Sequence, residues 1–272
     1  MVTRVGKMRP SPQSRKGRGE GFDEQLALTV LLVVVFATAG CVRMPLPSDD
    51  STLRIATSFP IENVDPIKPD HYFLVEYGVV ELPLIRNEDN QIVPWLLDSY
   101  SRVDDLHWRL ILRSNVQFQS GKQLTADSFA AAMNRQLTRS ASTRAAMFDA
   151  KVTVTGEREL TLTTTRPDPN VPAMLADEAV FPIYDVDAIE SAGNGYEALL
   201  NCKCYTGPYQ IVSLNERELA LSANEKYWRG KPPLNSVIVR FVPDAQARVL
   251  AVQNGEVDVA KRSSPILVLE AT

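Results

Sequence analysis

The sequence predicts a mixed α/β protein, and three stretches carry that expectation. In the first, Trp108, Leu110 and Leu112 alternate with Arg109, Ile111 and Arg113, the period-two pattern of a half-buried strand. A glycine-containing polar loop, Gln119–Lys122, follows, and then Thr125 can cap a helix whose stripe is Phe129, Met133 and Leu137. In the second, Lys151–Thr155 and Glu159–Thr164 alternate on either side of Gly156-Glu157-Arg158, which predicts a β-hairpin. In the third, the strand Val237–Val242 leads to Asp244, which caps a helix that Gly255 closes.

A chain of 272 residues, 44% hydrophobic and 23% charged, can bury one large core or two ordinary ones. Six of the 29 basic and three of the 33 acidic residues lie in the first 25 positions; 23 and 30 remain from Cys41 onward. A net acidic body of this kind lacks the basic face of a nucleic-acid binder, so no nucleic-acid partner is expected. The sequence shows no internal repeat and no long low-complexity tract.

Residues 1–40 read as an address. Arg4, Lys7, Arg9, Arg15, Lys16 and Arg18 precede the uncharged apolar run Leu26–Phe36, which small residues extend to Cys41. The run is short for a bilayer span. With Cys41 it resembles a bacterial lipobox, which implies cleavage and lipidation of that cysteine, a membrane anchor, and a place in the cell envelope outside the cytoplasmic membrane. An uncleaved signal anchor and a buried helix are the alternatives. Residues 41–51 then form a polar, proline-containing tether. Cys202 and Cys204 are expected as two thiols in a loop, because a Cys-x-Cys disulfide closes a very tight ring.

The remaining elements follow in order. Thr52–Thr57 is a short strand that runs into a proline-interrupted loop at Ser58–Pro66. Tyr72–Leu84 is helix-like, with Phe73, Tyr77, Val80 and Leu84 on one side. Trp95, among apolar neighbours, is expected in the core. Asn170–Ala179 and Ala188–Leu200 read as helices, the second interrupted by Gly193 and Gly195. Tyr209–Leu214 and Leu219–Ser222 are strands about a turn at Asn215–Arg217.

The order W-x-L-x-L-R-x-x-V-x-F-x-x-G-x-x-L-T-A over Trp108–Ala126 resembles the signature of the family 5 extracellular solute-binding proteins, the oligopeptide-, dipeptide- and nickel-binding receptors of ABC importers. Val64-Asp65-Pro66, Ile92–Tyr100, Thr206–Tyr209, Asn224–Pro232 and Gly255–Asp258 match the family pattern in the same order. The resemblance implies a periplasmic-binding-protein type II-like fold, of which this chain holds the first lobe only. It implies one lobe over 52–262, with a subdomain inserted at about 76–204. The family's second lobe would follow the G-E-x-D element; here a tail, 263–272, stands instead. By position, Ser58, Phe59, Ile61 and Glu62 would line the ligand cleft. The implied partners are a peptide or other small solute, ABC permease subunits and, through Cys41, the membrane. A nickel or other small-solute receptor, and a lipoprotein acting as a non-transport interaction module, are the competing readings.

An enzyme is not expected. His71 and His107 stand in no metal or triad spacing, and neither G-x-S-x-G nor H-E-x-x-H occurs. No catalytic residue, metal ligand or cofactor is assigned.

Overall fold

The computed structural model describes residues 51–68, 70–193 and 195–261. Residues 1–50, where the signal segment, Cys41 and most of the tether are expected, and the expected tail 263–272 lie outside the described residues. Strand β1 (Thr52–Thr57) is followed by α1 (His71–Glu76), β2 (Leu84–Arg86), β3 (Ile92–Pro94), β4 (Leu97–Arg102) and β5 (His107–Leu112). Then come α2 (Ala126–Arg139), α3 (Ala141–Met147), β6 (Lys151–Val154), β7 (Glu159–Thr163), α4 (Val171–Leu175), α5 (Val186–Ala192) and α6 (Tyr196–Leu200). The order closes with β8 (Tyr209–Leu214), β9 (Glu218–Ala223), β10 (Ser236–Phe241), α7 (Ala245–Gln253) and β11 (Val259–Ala260).

These strands make a five-stranded sheet of order β11-β1-β10-β9-β8, a four-stranded sheet β4-β5-β7-β6 and the ribbon β2-β3. In the five-stranded sheet β1 runs parallel to both β10 and β11, while β10, β9 and β8 are antiparallel. Its strands therefore come from both ends of the described segment. The four-stranded sheet is antiparallel and local in sequence.

Alternation and capping explain the local pieces. Trp108, Leu110 and Leu112 of β5 are buried while Arg109 is exposed. Thr125 Oγ1 accepts from Ser128 N at 3.2 Å and Ser128 Oγ accepts from Thr125 N at 2.9 Å, which satisfies two N–H groups that a helix start leaves open. The α2 stripe Phe129, Met133 and Leu137 is buried, and α2 packs on β6 and β7. Asn134 fastens the contact: its amide donates to Val152 O at 2.8 Å and accepts from Val152 N at 3.1 Å.

Five sequence expectations change. The Tyr72–Leu84 stretch is helical only to Glu76. Gly78 takes φ 70°, and the amides of Val79 and Val80 both turn back to Leu74 O, a glycine-type helix stop. Phe73, Tyr77, Val80 and Leu84 are buried nonetheless. The Asn170–Ala179 helix is shortened to α4, and Ala188–Leu200 becomes α5 and α6, parted at Gly193, whose φ is 62°. Trp95 is half-buried rather than fully in the core. Cys202 and Cys204 are joined by a disulfide rather than standing as thiols. Lys203 between them adopts φ 48°, and the two Cα atoms lie 5.1 Å apart, inside the ordinary range for a bridged pair.

The chain passes between its sheets along two adjacent segments. Gly207 N donates to Val79 O at 3.1 Å and Tyr209 N to Gly78 O at 3.0 Å. The buried Gln119 amide joins them, donating to Tyr209 O at 2.8 Å. Asn224 Nδ2 adds a bond to Gly207 O at 3.2 Å. A Cβ on Gly207 would sit 2.3 Å from Gly78 O and 2.6 Å from Val79 O, so only glycine allows this approach.

Candidate functional site

Ligands of open α/β sheets lie beyond the carboxyl ends of parallel strands, so those ends of β1, β10 and β11 locate the candidate site. Val242 N donates to Thr57 O at 2.7 Å and Lys261 N to Ala56 O at 2.8 Å, which brings the exits of all three strands together. The loop that leaves β1 carries the sequence candidates. Phe59 is 57% exposed, Glu62 is exposed and Ser58 is half-buried. Ile61 is 4% exposed and belongs to the core. The loop thus places Ser58, Phe59 and Glu62 within reach of solvent, while Ile61 anchors it.

Side chains from distant elements hold that loop. The Asp70 carboxylate accepts from Glu62 N at 2.9 Å and Asn63 N at 3.2 Å. Arg135 of α2, 7% exposed, donates to the two oxygens of Asp65 at 2.8 and 3.0 Å and to Tyr184 Oη at 3.0 Å. Gln136 donates to Pro66 O at 2.7 Å and the Tyr205 hydroxyl to Val64 O at 2.5 Å. Burial works against the Arg135 charge, but Asp65 and Tyr184 outweigh it and raise its pKa. Burial also pushes the Tyr184 hydroxyl up to about 12. A two-bond guanidinium–carboxylate contact fixes direction as well as distance, so the loop after β1 is preorganised from beneath.

A second constellation escaped sequence reasoning. Glu81 is 5% exposed, and its carboxylate accepts from the Trp95 indole at 2.8 Å, the Tyr227 hydroxyl at 2.5 Å and the Trp228 indole at 3.1 Å. Arg229 lies 4.1 Å from the Trp95 ring centroid and Arg113 5.5 Å from that of Trp228. The N-x-x-Y-W-x-G-x-P motif thereby braces the segment 81–95, and Gly230 makes its turn at φ 96°. The signal was present: Glu81 interrupts the apolar run Val79–Leu84, and a carboxylate placed there needs donors.

Burial raises the Glu81 carboxyl above its usual value, and the three donors only partly offset it. The folded state then binds this proton more tightly than the unfolded chain does. Glu81 therefore contributes most below the unfolded pKa of about 4.3, and its contribution is lost as pH rises to the higher folded value. Urea midpoints of Glu81→Gln, measured from pH 4 to 8, should decline less with rising pH than those of the wild type. Parallel curves would refute this account of Glu81.

The chain belongs to the bacterial extracellular solute-binding proteins, family 5, whose middle region, "Bacterial extracellular solute-binding proteins, family 5 Middle", matches residues 91–270. It is 26% identical to the nickel-binding protein NikA of Staphylococcus aureus, over 85% of this chain and 45% of that protein. It is also 26% identical to the nickel-binding periplasmic protein of Escherichia coli, over 89% and 47%. Among solved structures, the nickel ABC transporter protein of Bacillus halodurans superposes with a TM-score of 0.68 at 27% identity, covering 79% of this chain and 44% of that one. The sequence here spans about half the length of these relatives. The fold is that of the family's solved members.

Proposed function

We propose that this chain forms the first lobe of a binding protein that captures a small solute outside the cytoplasmic membrane and delivers it to an ABC permease. The observation that carries the reading is the parallel set β11-β1-β10, whose exits meet at a loop held by Asp70 and by the Arg135–Asp65 pair. Residues 52–75 and about 205–262 act as one subdomain and 76–204 as an inserted one. Ser58, Phe59 and Glu62 face the solute, and the buried Ile61 sets their height. Peptides are the solute class expected from the sequence motifs. A nickel species is the second reading, favoured by the names of the two curated relatives.

Thermal unfolding of the protein tests both readings. A ligand that binds only the native state adds about 2.7 kcal/mol at a hundred times its Kd, enough to raise the midpoint by several degrees. A rise with a mixed tripeptide library supports the peptide reading. A rise with nickel(II) chloride, with or without histidine, supports the second. No rise with any of them removes the receptor reading. Lipidation at Cys41 belongs to the same proposal, because two acyl chains suffice for stable anchoring. Metabolic acyl label should enter the wild type and be absent from Cys41→Ser; equal labelling would refute this anchor.

A further inference from the structure

The carboxyl end of the sheet holds a cation of the protein's own. Lys261 leaves β11 with its amide on Ala56 O, and its ammonium forms an ion pair with Glu76 at the end of α1. The same ammonium lies 5.6 Å from the ring centroid of Tyr77. Tyr77 is 6% exposed, and its hydroxyl, beside Thr57, has no partner in hydrogen-bonding geometry among the described residues. Glu178, in the turn after α4, feels the same charges. Its carboxyl is raised by burial and then by Glu76 and Asp177, and Lys261 opposes that rise. Burial raises the Tyr72 hydroxyl, and Asp70 and Glu76 add to that rise. An aromatic face with a carboxylate is a general receptor for an ammonium group, and here both are assembled and filled by a side chain.

We propose that Glu76 and Tyr77 form a cation subsite for an ammonium group of the solute, and that Lys261 occupies it as a tethered stand-in until solute displaces it. Several observations support the assignment. The subsite lies beyond β1 and β11, where the candidate loop emerges. Both partners of the ion pair are partly exposed, with side-chain exposures of 33% and 32%, so solute can reach them. Lys261 meets one oxygen of the Glu76 carboxylate, which leaves acceptor capacity for a second cation's hydrogen bonds. This inference rests on the receptor reading and adds the chemical class of the solute.

The test uses two blocked tripeptides, acetyl-Gly-Lys-Gly-amide and its norleucine counterpart, which differ in the ammonium alone. Isothermal titration of the full chain at low salt should give at least about tenfold tighter binding for the lysine peptide. Lys261→Met vacates the subsite and should tighten the lysine peptide by about tenfold again while leaving the norleucine peptide unchanged. Adding Glu76→Gln to Lys261→Met should abolish the difference between the peptides. Lys261→Gln, which keeps a polar side chain, should behave like Lys261→Met if charge is the cause. Equal affinity for both peptides in every variant would overturn the subsite and leave the receptor reading standing. So would Lys261→Met tightening nickel(II) chloride rather than the lysine peptide. Binding of neither peptide, together with no thermal shift by the tripeptide library or nickel, would remove both readings.

Discussion

Gly207→Ala should lower the unfolding free energy by more than about 3 kcal/mol, or leave no cooperative transition at all, because its Cβ would overlap two backbone carbonyls rather than a movable side chain. The clash distances, 2.3 Å to Gly78 O and 2.6 Å to Val79 O, fall below any real Cβ contact. Relief requires the two crossing segments to separate. That would break the Gly207–Val79 and Tyr209–Gly78 backbone bonds and strand the Gln119 amide that joins them. Gly230→Ala is the control. Gly230 also matters to its turn, at φ 96°, but a Cβ there meets nothing within 4 Å. Its cost is only that of a positive φ, on the order of 1 kcal/mol. Urea denaturation of both variants separates close approach from backbone conformation. A loss for Gly207→Ala no larger than that for Gly230→Ala would show that the crossing segments move apart freely.

What could be read from the sequence follows the range of the interactions. The strand at Trp108–Leu112, the hairpin of β6 and β7, and the Thr125 and Asp244 caps are set by neighbours a few residues away, and periodicity with side-chain capping reveals them. Where a local conformation overrode the pattern, the reading failed. Gly78 stopped a helix whose apolar stripe continued past it, and Lys203 took the backbone shape that lets Cys202 meet Cys204. The candidate site was legible only in part. Position in the family pattern singled out the loop after β1, but not which of its side chains point inward. Ile61, apolar like Phe59 beside it in the expected set, is spent on the core. The groups that hold the loop come from 70 residues downstream in Arg135 and 141 in Tyr205, and no periodicity reports such distances. Glu81 is similar: its donors Tyr227 and Trp228 were recognised as a motif, yet their shared acceptor lies 146 residues away from Tyr227.

Arg135→Ala should cost about 3 to 5 kcal/mol, because it leaves the Asp65 carboxylate partly buried with its charge uncompensated. The loss is expected to exceed that from removing an exposed pair such as Arg102–Asp105, worth about 1 kcal/mol or less. The difference lies in surroundings. Arg135 is enclosed beneath the loop, and its Tyr184 contact and two-bond grip on Asp65 have no water to replace them readily. Asp65→Asn alone should also destabilise, since it leaves the buried guanidinium with only the half-exposed Glu190 carboxylate, 3.8 Å from its Nε, as an anion. The double variant Asp65→Asn with Arg135→Met should lose less than the two single losses together, because neither charge is then stranded. The same cycle reads function. If the pair sets the height of Ser58, Phe59 and Glu62, then Arg135→Met should weaken whichever solute raises the wild-type midpoint, even in a variant whose stability the second change restores. Additive losses would mean that Arg135 and Asp65 act independently. A double variant restored in stability and equal to wild type in solute affinity would mean that the pair supports the fold without shaping the loop that meets the solute.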